Sequence, residues 1–590
     1  ILISPHKGSR LYYGSQRVGR SDDRGDSWTP ISPDLTTNRN RYELQLMGRV
    51  WSADALYDNG AMSKYATLTS IAESPLKEGL LYTGSDDGLI QVSEDGGKNW
   101  RKSAALPKVP ALSFINDIEA SAHEANTLFA VADAHKFGDF SPYLFISTDR
   151  GRSWQSIASD LPMGTIVWVI KQDPVDPNLL FIGTEYGIYF SVNKGANWIR
   201  LKNGMPTIPV RDIELHKRDN DLVAATFGRG FYVLDDYTPL RNLSQAVSLN
   251  NASLFAVRDA WWYVPSVPMQ AKGMPTLGTT SFRAANPPFG AVFTYYLNDV
   301  PQTMKAQRQA AEKTLNEQNA SVPFPGWERL LEESTEKAAQ AMLLVSDESG
   351  QPVRWIKGAT AKGLHRVSWD LRFPAPDPID LRQPDFVPPW AGDAQGPFAA
   401  PGKYSVALYV FHNGVMEAKG APQSFIVKPV PTAPKGTDFM MVAAFQQKTS
   451  ELSRQISGAA SQLGEAGEKL RYMRAALMET PQAKQELFAR QNSLEEELAA
   501  LRTRLTGDRI RRGMNESTVP SIMSRVGQVA YGHWDTRQTP TVTQQRNIDI
   551  ATTDFSQFKG DMAAYLSKLS QYEAALEAAG APWTPGRKFE

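Results

Sequence analysis

The chain has no cysteine among its 590 residues, which excludes disulfides, thiolate metal sites and a cysteine nucleophile. It has no excess of either charge: 63 Lys plus Arg balance 63 Asp plus Glu. Nothing in that balance recommends a nucleic acid or an anionic membrane as partner. No apolar run approaches the ~18 residues a membrane span needs. The opening Ile1-Leu2-Ile3 lacks a basic stretch, a cleavage site and an initiating Met, and reads as the start of a mature or truncated chain. Also missing are H-E-x-x-H, a G-x-S-x-G elbow, a P-loop and a G-x-G-x-x-G after a strand, so neither catalytic residue, metal nor cofactor is expected. Histidine is sparse, seven in all, and only His135, between Asp133 and Asp139, stands among carboxylates.

What is present is a repeat. Ser21 to Trp28, Ser93 to Trp100, Ser147 to Trp154 and Ser191 to Trp198 share the pattern S-x-D-x-G-x-x-W, with tryptophans 72, 54 and 44 residues apart. Unequal spacing of one signature means one unit carrying insertions of different length. Asp23, Asp95 and Asp149 can accept backbone N–H groups across a tight turn, and Asn193 keeps the acceptor without the charge. Gly25, Gly97, Gly151 and Gly195 supply the positive φ of such a turn. Trp28, Trp100, Trp154 and Trp198 then drop an apolar ring between units. These twelve residues read as structural.

A second pattern precedes three of the boxes: Leu11-Tyr12-Tyr13-Gly14-Ser15, Leu81-Tyr82-Thr83-Gly84-Ser85 and Leu180-Phe181-Ile182-Gly183-Thr184. With the strands around it, each unit has four strands in roughly 45 residues, the size of a propeller blade. A fifth unit, Val210 to Asp236, has strands but no box.

These octapeptides, with Trp28-Thr29-Pro30-Ile31-Ser32-Pro33-Asp34-Leu35 and Thr226-Phe227-Gly228-Arg229-Gly230, resemble the bacterial Asp-box (neuraminidase-repeat) β-propellers related to the sortilin luminal domain, a group often labelled glycosyl hydrolase-like. The resemblance implies a secreted or periplasmic bacterial protein, and further blades ahead of position 1 or on another polypeptide. It also raises sialidase activity, but the Phe/Tyr-Arg-Ile-Pro motif of those enzymes is absent.

The expected fold is mainly β with a helical C-terminal region: an Asp-box propeller of about five blades over 1–245, an immunoglobulin-like β-sandwich over 246–432 and an antiparallel helical bundle over 433–590. The sandwich strands are Ala291 to Leu297, Ala341 to Val345, His365 to Leu371 and Tyr404 to Phe411, with a helical insertion near 302–340 and a Pro- and Gly-rich loop over 373–400. The phrases Gly363 to Asp370 and Pro401 to Val406 resemble the module that follows such propellers. Past Pro434 the period becomes helical: Leu487, Leu494, Leu498, Leu501 and Leu505 form one seam, and Phe558, Met562, Tyr565, Leu569, Tyr572 and Leu576 another. Thr480-Pro481 is the expected start of the second helix, and Gly580 the expected end of the last.

In such blades the second-to-third turns project away from the boxes. That places Arg17, Asp86, Asp87, Asp133, His135, Glu185, Tyr186 and Arg229 around one rim, a mix of charge, hydroxyl and aromatic groups suited to a polar ligand, a peptide or a glycan. The plainer reading is that these residues only make turns. The first functional expectation is an exported, non-catalytic binding or assembly module, part of a larger envelope or extracellular complex. A glycoside hydrolase and a sortilin-like peptide receptor are the alternatives.

Overall fold

The structure is a computed structural model that describes residues 1–61, 65–202, 204–244, 252–265, 278–281, 284–381, 386–388, 392–433 and 435–587. The protein is mainly β with a helical C-terminal region, and divides into two compact units, Ile1–Asn250 and Asn251–Glu590. The expected boundary at 245/246 and residue Pro434 lie outside the described residues.

The first unit is a succession of small antiparallel sheets, consistent with propeller blades. Four have four strands in sequence order. They are Leu2–Ile3, Leu11–Gly14, Val18–Ser21 and Thr29–Pro30; Leu68–Glu73, Leu81–Ser85, Ile90–Ser93 and Arg101–Lys102; Phe114–Ala120, Leu128–Ala134, Asp139–Ser147 and Gln155–Ser156; and Val167–Gln172, Leu180–Thr184, Gly187–Ser191 and Ile199–Arg200. The fifth has three, Val210–His216, Asp221–Thr226 and Phe231–Leu234. A short helix, α1 (Leu56–Ala61), lies between the first two sheets.

Period-2 alternation explains how one strand serves two neighbours. In Leu128–Ala134 every residue is buried: Leu128, Ala130 and Ala132 join a core shared with the second sheet, Phe129 and Val131 one shared with the fourth. The repeated octapeptides staple the outer edges. In the third sheet Ser147 Oγ donates to Asp149 Oδ1 (2.8 Å) and accepts the Gly151 N–H (2.8 Å), while Asp149 accepts the Ser153 N–H (2.9 Å). Asn193 makes the equivalent bond to the Asn197 N–H (3.0 Å), so the charge is not needed for the turn. Gly97, at φ +94°, sits so close to the first sheet that a Cβ would come within 2.7 Å of the Ile31 oxygen.

The second unit holds two sheets that share one apolar core. Ser253–Leu254, Ala291–Leu297 and Gly363–Trp369 make one. Ala260–Trp262, Val415–Pro429, Gly402–His412, Gln340–Asp347 and Pro352–Gly358 make the other, with Ala260–Trp262 parallel to its neighbour. Phe293 and Trp369 from the first meet Leu343, Val406 and Phe425 from the second. Helices α2 (Met304–Glu317) and α3 (Trp327–Thr335) stand between Ala291–Leu297 and Gln340–Asp347.

Five helices follow: α4 (Phe439–Met478), α5 (Gln485–Thr506), α6 (Arg509–Gly513), α7 (Ile522–His533) and α8 (Val542–Ala578). The leucine seam of α5 and the aromatic seam of α8 are buried in a common core with α4 and α7. Asp438 caps α4, and Thr541 with Gln544 forms a capping box on α8. The start of α5 differs from the sequence expectation. Thr480 Oγ1 donates back to the Ala476 carbonyl at 2.7 Å, closing α4, and α5 begins after Lys484. A Thr-Pro pair serves a helix end as readily as a helix start, because proline also follows C-caps.

Candidate functional site

Each inner strand of sheets two to five starts at the end where the second-to-third turn projects, and there each carries a bulge. The register slips between Leu68 and Ser70, between Val167 and Val169, and between Val210 and Asp212. In the third sheet Val131 pairs with Asp117 and Ala132 with Ile115. The extra residues are therefore Thr69, Asn116, Trp168 and Arg211. A bulge bends the strand and re-aims one side chain, and here Thr69, Asn116 and Trp168 each reach the next sheet, the last of them meeting Arg211. Thr69 Oγ1 donates to the Ile115 carbonyl (2.7 Å) and Asn116 Nδ2 to the Val167 carbonyl (3.2 Å), while Trp168 lies under the Arg211 guanidinium, 3.4 Å away. The recurring glycine of the second sequence pattern now has its reason. A Cβ on Gly84 would stand 2.4 Å from Ile115, and one on Gly183 2.6 Å from the Val210 oxygen.

Around this ladder the rim residues fall into two groups. The carboxylates are consumed. Asp86, 4% exposed, accepts the Thr67 N–H at 3.0 Å, and burial raises its pKa. Asp87, 3% exposed, accepts the Thr37 N–H (2.7 Å) and the Thr37 and Ser85 hydroxyls (2.5 Å each). Buried Asp133 pairs with His135 Nδ1. Glu185 accepts the Trp168 indole N–H at 3.0 Å and lies 3.8 Å from Arg211. Asp139 holds the Tyr143 hydroxyl (2.6 Å) and the Ser141 N–H (2.9 Å).

The cations and several aromatics are outward. Arg17 and Arg229 are exposed at turn tips. Exposed Lys136 stands 4.7 Å over the Phe114 ring, which meets Tyr65 at 6.3 Å. His135 meets the Trp168 ring edge-on at 5.6 Å. Arg211 lies between Trp168 and Phe227, 5.4 Å from the latter. Exposed Tyr186 offers its carbonyl to Arg200 at 2.8 Å. Asp133, His135, Glu185 and Phe227 thus join one continuous band over sheets three to five, whereas Asp86 and Asp87 anchor the second sheet's turn and Arg17 stands on the first. Trp168 and Arg211 were not among the residues expected from sequence; their signal is position, one residue into the inner strand, opposite Gly183 for Trp168 and opposite Ala225 for Arg211.

Further along the same strands lies a charged layer that the sequence reading also missed. Lys171 Nζ pairs with Glu119 at 3.2 Å, and Asp117 accepts the Ile170 N–H at 3.0 Å. Burial raises the pKa of Asp117 and Glu119. Burial alone would lower that of Lys171, but Glu119 and Asp117 outweigh it and hold the ammonium above the ordinary lysine range. His135 is not the one histidine among carboxylates: at the far end of the fifth sheet, ligand atoms of His216, Asp219 and Asp221 lie within 4.8 Å of one another. Arg218 already pairs with Asp219 there at 2.7 Å, and Asp221 accepts the Asp236 N–H.

No family model and no curated protein matches the chain. Similar solved structures include a GH74 enzyme of Niastella koreensis, at 16% identity and TM-score 0.30, over 40% of this chain and 35% of that one. Another is PorZ, a surface component of the type-IX secretion system of Porphyromonas gingivalis, at 12% identity and TM-score 0.29, over 71% and 50%. A third is YCF48 bound to D1 peptide, at 17% identity and TM-score 0.24, over 29% and 52%. The chain spans about a third of the length of the GH74 chains it matches.

Proposed function

We propose that this chain is a non-catalytic binding or assembly module, exported to the periplasm or cell surface, whose rim of second-to-third turns receives a partner. The observation that carries this reading is the bulge ladder. Four adjacent sheets each spend a strand irregularity to aim one side chain along a single line, and such devices cluster where function is built. On this reading 1–245 is an Asp-box propeller related to the sortilin luminal domain, 246–432 an immunoglobulin-like sandwich, and 433–590 a helical bundle that supports or docks the propeller in a larger complex.

The exposed ring of Trp28 supports a further sheet seated against the first, whichever polypeptide carries it. Trp100, Trp154 and Trp198 each donate to the residue three places after the preceding repeat's tryptophan: the Ile31 carbonyl (3.0 Å), the Ser103 hydroxyl (2.8 Å) and the Ile157 carbonyl (2.7 Å). Among the described residues Trp28 donates only to Gly25 of its own turn (3.0 Å), and it is 44% exposed.

The rim is tested by a photo-crosslinking residue at Tyr186 or Phe227, compared with one at Asn99 on the opposite end of the sheets. The expected result is a discrete product from the rim positions in native envelope and none from Asn99. Equal or absent products at all three positions count against the rim.

A second reading, glycoside hydrolysis, draws support from Asp117 and Glu119, two carboxyls on one strand whose pKa burial raises, since a carboxyl with a raised pKa is the general acid of that reaction. It predicts turnover of chromogenic glycosides that is lost in Asp117→Asn. No turnover across a broad panel eliminates it.

A further inference from the structure

We propose that the band around Arg211 and Arg229 recognises the side-chain carboxylates of an extended acidic peptide segment; the inference rests on the rim being the binding face. The sequence alone gives this rim mixed charge. The tertiary structure divides it. Asp86, Asp87, Asp133, Asp139 and Glu185 all hold internal partners, and the first three are under 5% exposed. Among the cations of the same band, Arg229 stands exposed and Arg211 is 40% exposed.

Arg211 is the centre of the band. Its guanidinium is stacked flat on Trp168 and flanked by Phe227, which removes much of the rotamer entropy an arginine loses on binding. Its approach to Glu185, 3.8 Å, is too long for a hydrogen bond, and among the described residues Arg211 donates none. A planar guanidinium held by its face with its N–H fork unspent fits a carboxylate, which accepts two parallel bonds from it. Arg229, two residues beyond Phe227, likewise engages no hydrogen-bond partner among the described residues and is exposed.

Two observations favour a peptide over a glycan. Neutral sugars are held by carboxylates that accept hydroxyls and by bare aromatic faces. Here the carboxylates are occupied, and Trp168, 8% exposed, has one face under Arg211. Directly after Gly230 runs Phe231–Leu234, the last strand of a three-stranded sheet where the other four sheets have a fourth strand. Among the described residues no strand pairs with its outer edge, and Phe231 and Val233 are 75% and 55% exposed. An open edge offers main-chain hydrogen bonds to an extended peptide, with alternate side chains free to meet the arginines.

The test uses the full chain and three probes: a fluorescein-labelled peptide alternating Asp and Val, its Lys and Val counterpart, and a heparin-type sulfated polysaccharide. Binding is read by polarisation and by the change in tryptophan emission. The acidic peptide is expected to bind, to weaken with added salt, and to lose on the order of tenfold in affinity in R211Q and in R229Q. R229Q removes an exposed turn side chain that has no hydrogen bond to lose among the described residues, so its effect reports binding and not folding. Equal affinity for the Lys peptide, an acidic-peptide affinity unchanged in R229Q, or tighter binding of the polysaccharide overturns the inference. If the Lys peptide or the polysaccharide is the ligand and a Phe227→Ala variant releases it, the rim remains the binding face and only the acidic-peptide assignment falls. If no probe binds, the inference falls, and the crosslinking at Tyr186 and Phe227 decides separately on the rim.

Discussion

The indole N–H of Trp198 donates to the carbonyl of Ile157, 2.7 Å away on the preceding sheet. The same step is taken by Trp100 to Ile31 and by Trp154 to Ser103. Trp28 has the same sequence context and, among the described residues, no such acceptor. Trp198→Ala is expected to cost about 3–5 kcal/mol of unfolding free energy, as for a buried aromatic truncated in a core. Trp28→Ala is expected to cost about 1 kcal/mol, the worth of its edge contact with Tyr13 at 6.2 Å. Denaturant midpoints of the two variants measure the difference, and equal losses would show that the first sheet's outer face is covered.

Hydrogen bonds from the Ser153 hydroxyl, with the Ser153 N–H and the Ser147 hydroxyl, hold the Asp149 carboxyl at a pKa of about 2, below the usual carboxylate range. Asp23, bonded first to the Ser27 hydroxyl, is likewise at about 2. A carboxyl whose folded pKa is depressed contributes stability above its unfolded value, near 4, and that contribution is lost as pH falls toward 2. Melting temperature should therefore drop over that window. Asp149→Asn, which copies the native Asn193 turn, should leave the neutral-pH melting temperature nearly unchanged and flatten the acid limb. A large loss at pH 7 would mean that the charge itself supports the turn.

Arg241 grips Asp173, a fully buried carboxylate, through two bonds of 2.7 and 2.8 Å, and Tyr237 donates to the same group at 2.9 Å. This knot ties the segment after the fifth sheet to the fourth. Removing one partner of a buried pair strands the other charge. Arg241→Ala is expected to destabilise by about 3–5 kcal/mol, and the double change Arg241→Met with Asp173→Leu to recover much of it. Thermal melts of both variants check this; no recovery would assign the loss to packing.

Much of the fold was legible because its devices are local. An octapeptide turn needs its Ser, Asp and Gly within a few residues, so the four repeats marked where outer strands meet. The seams of α5 and α8 were equally readable, since helical burial repeats every three or four residues. The end of α4 was not, because Thr480-Pro481 fits either side of a helix boundary and only packing chose. The strands Pro352–Gly358 and Val415–Pro429 carry no comparable signal in the sequence. They alternate weakly, being largely exposed on one face, and long-range pairing with their neighbours stabilises them.

The candidate site divides along the same line. By itself the sequence determined that several turns rich in charge recur at one end of successive sheets, because repeat order and strand alternation settle which turns share a side. Only the tertiary structure decided which of those charges are available. Asp86, Asp87 and Asp133 look like ligands in sequence and are spent inside the fold, since a buried carboxylate must find donors. Trp168 and Arg211 look like ordinary strand residues. They become the centre of the site because a bulge, visible only when two strands are paired in register, turns them toward each other.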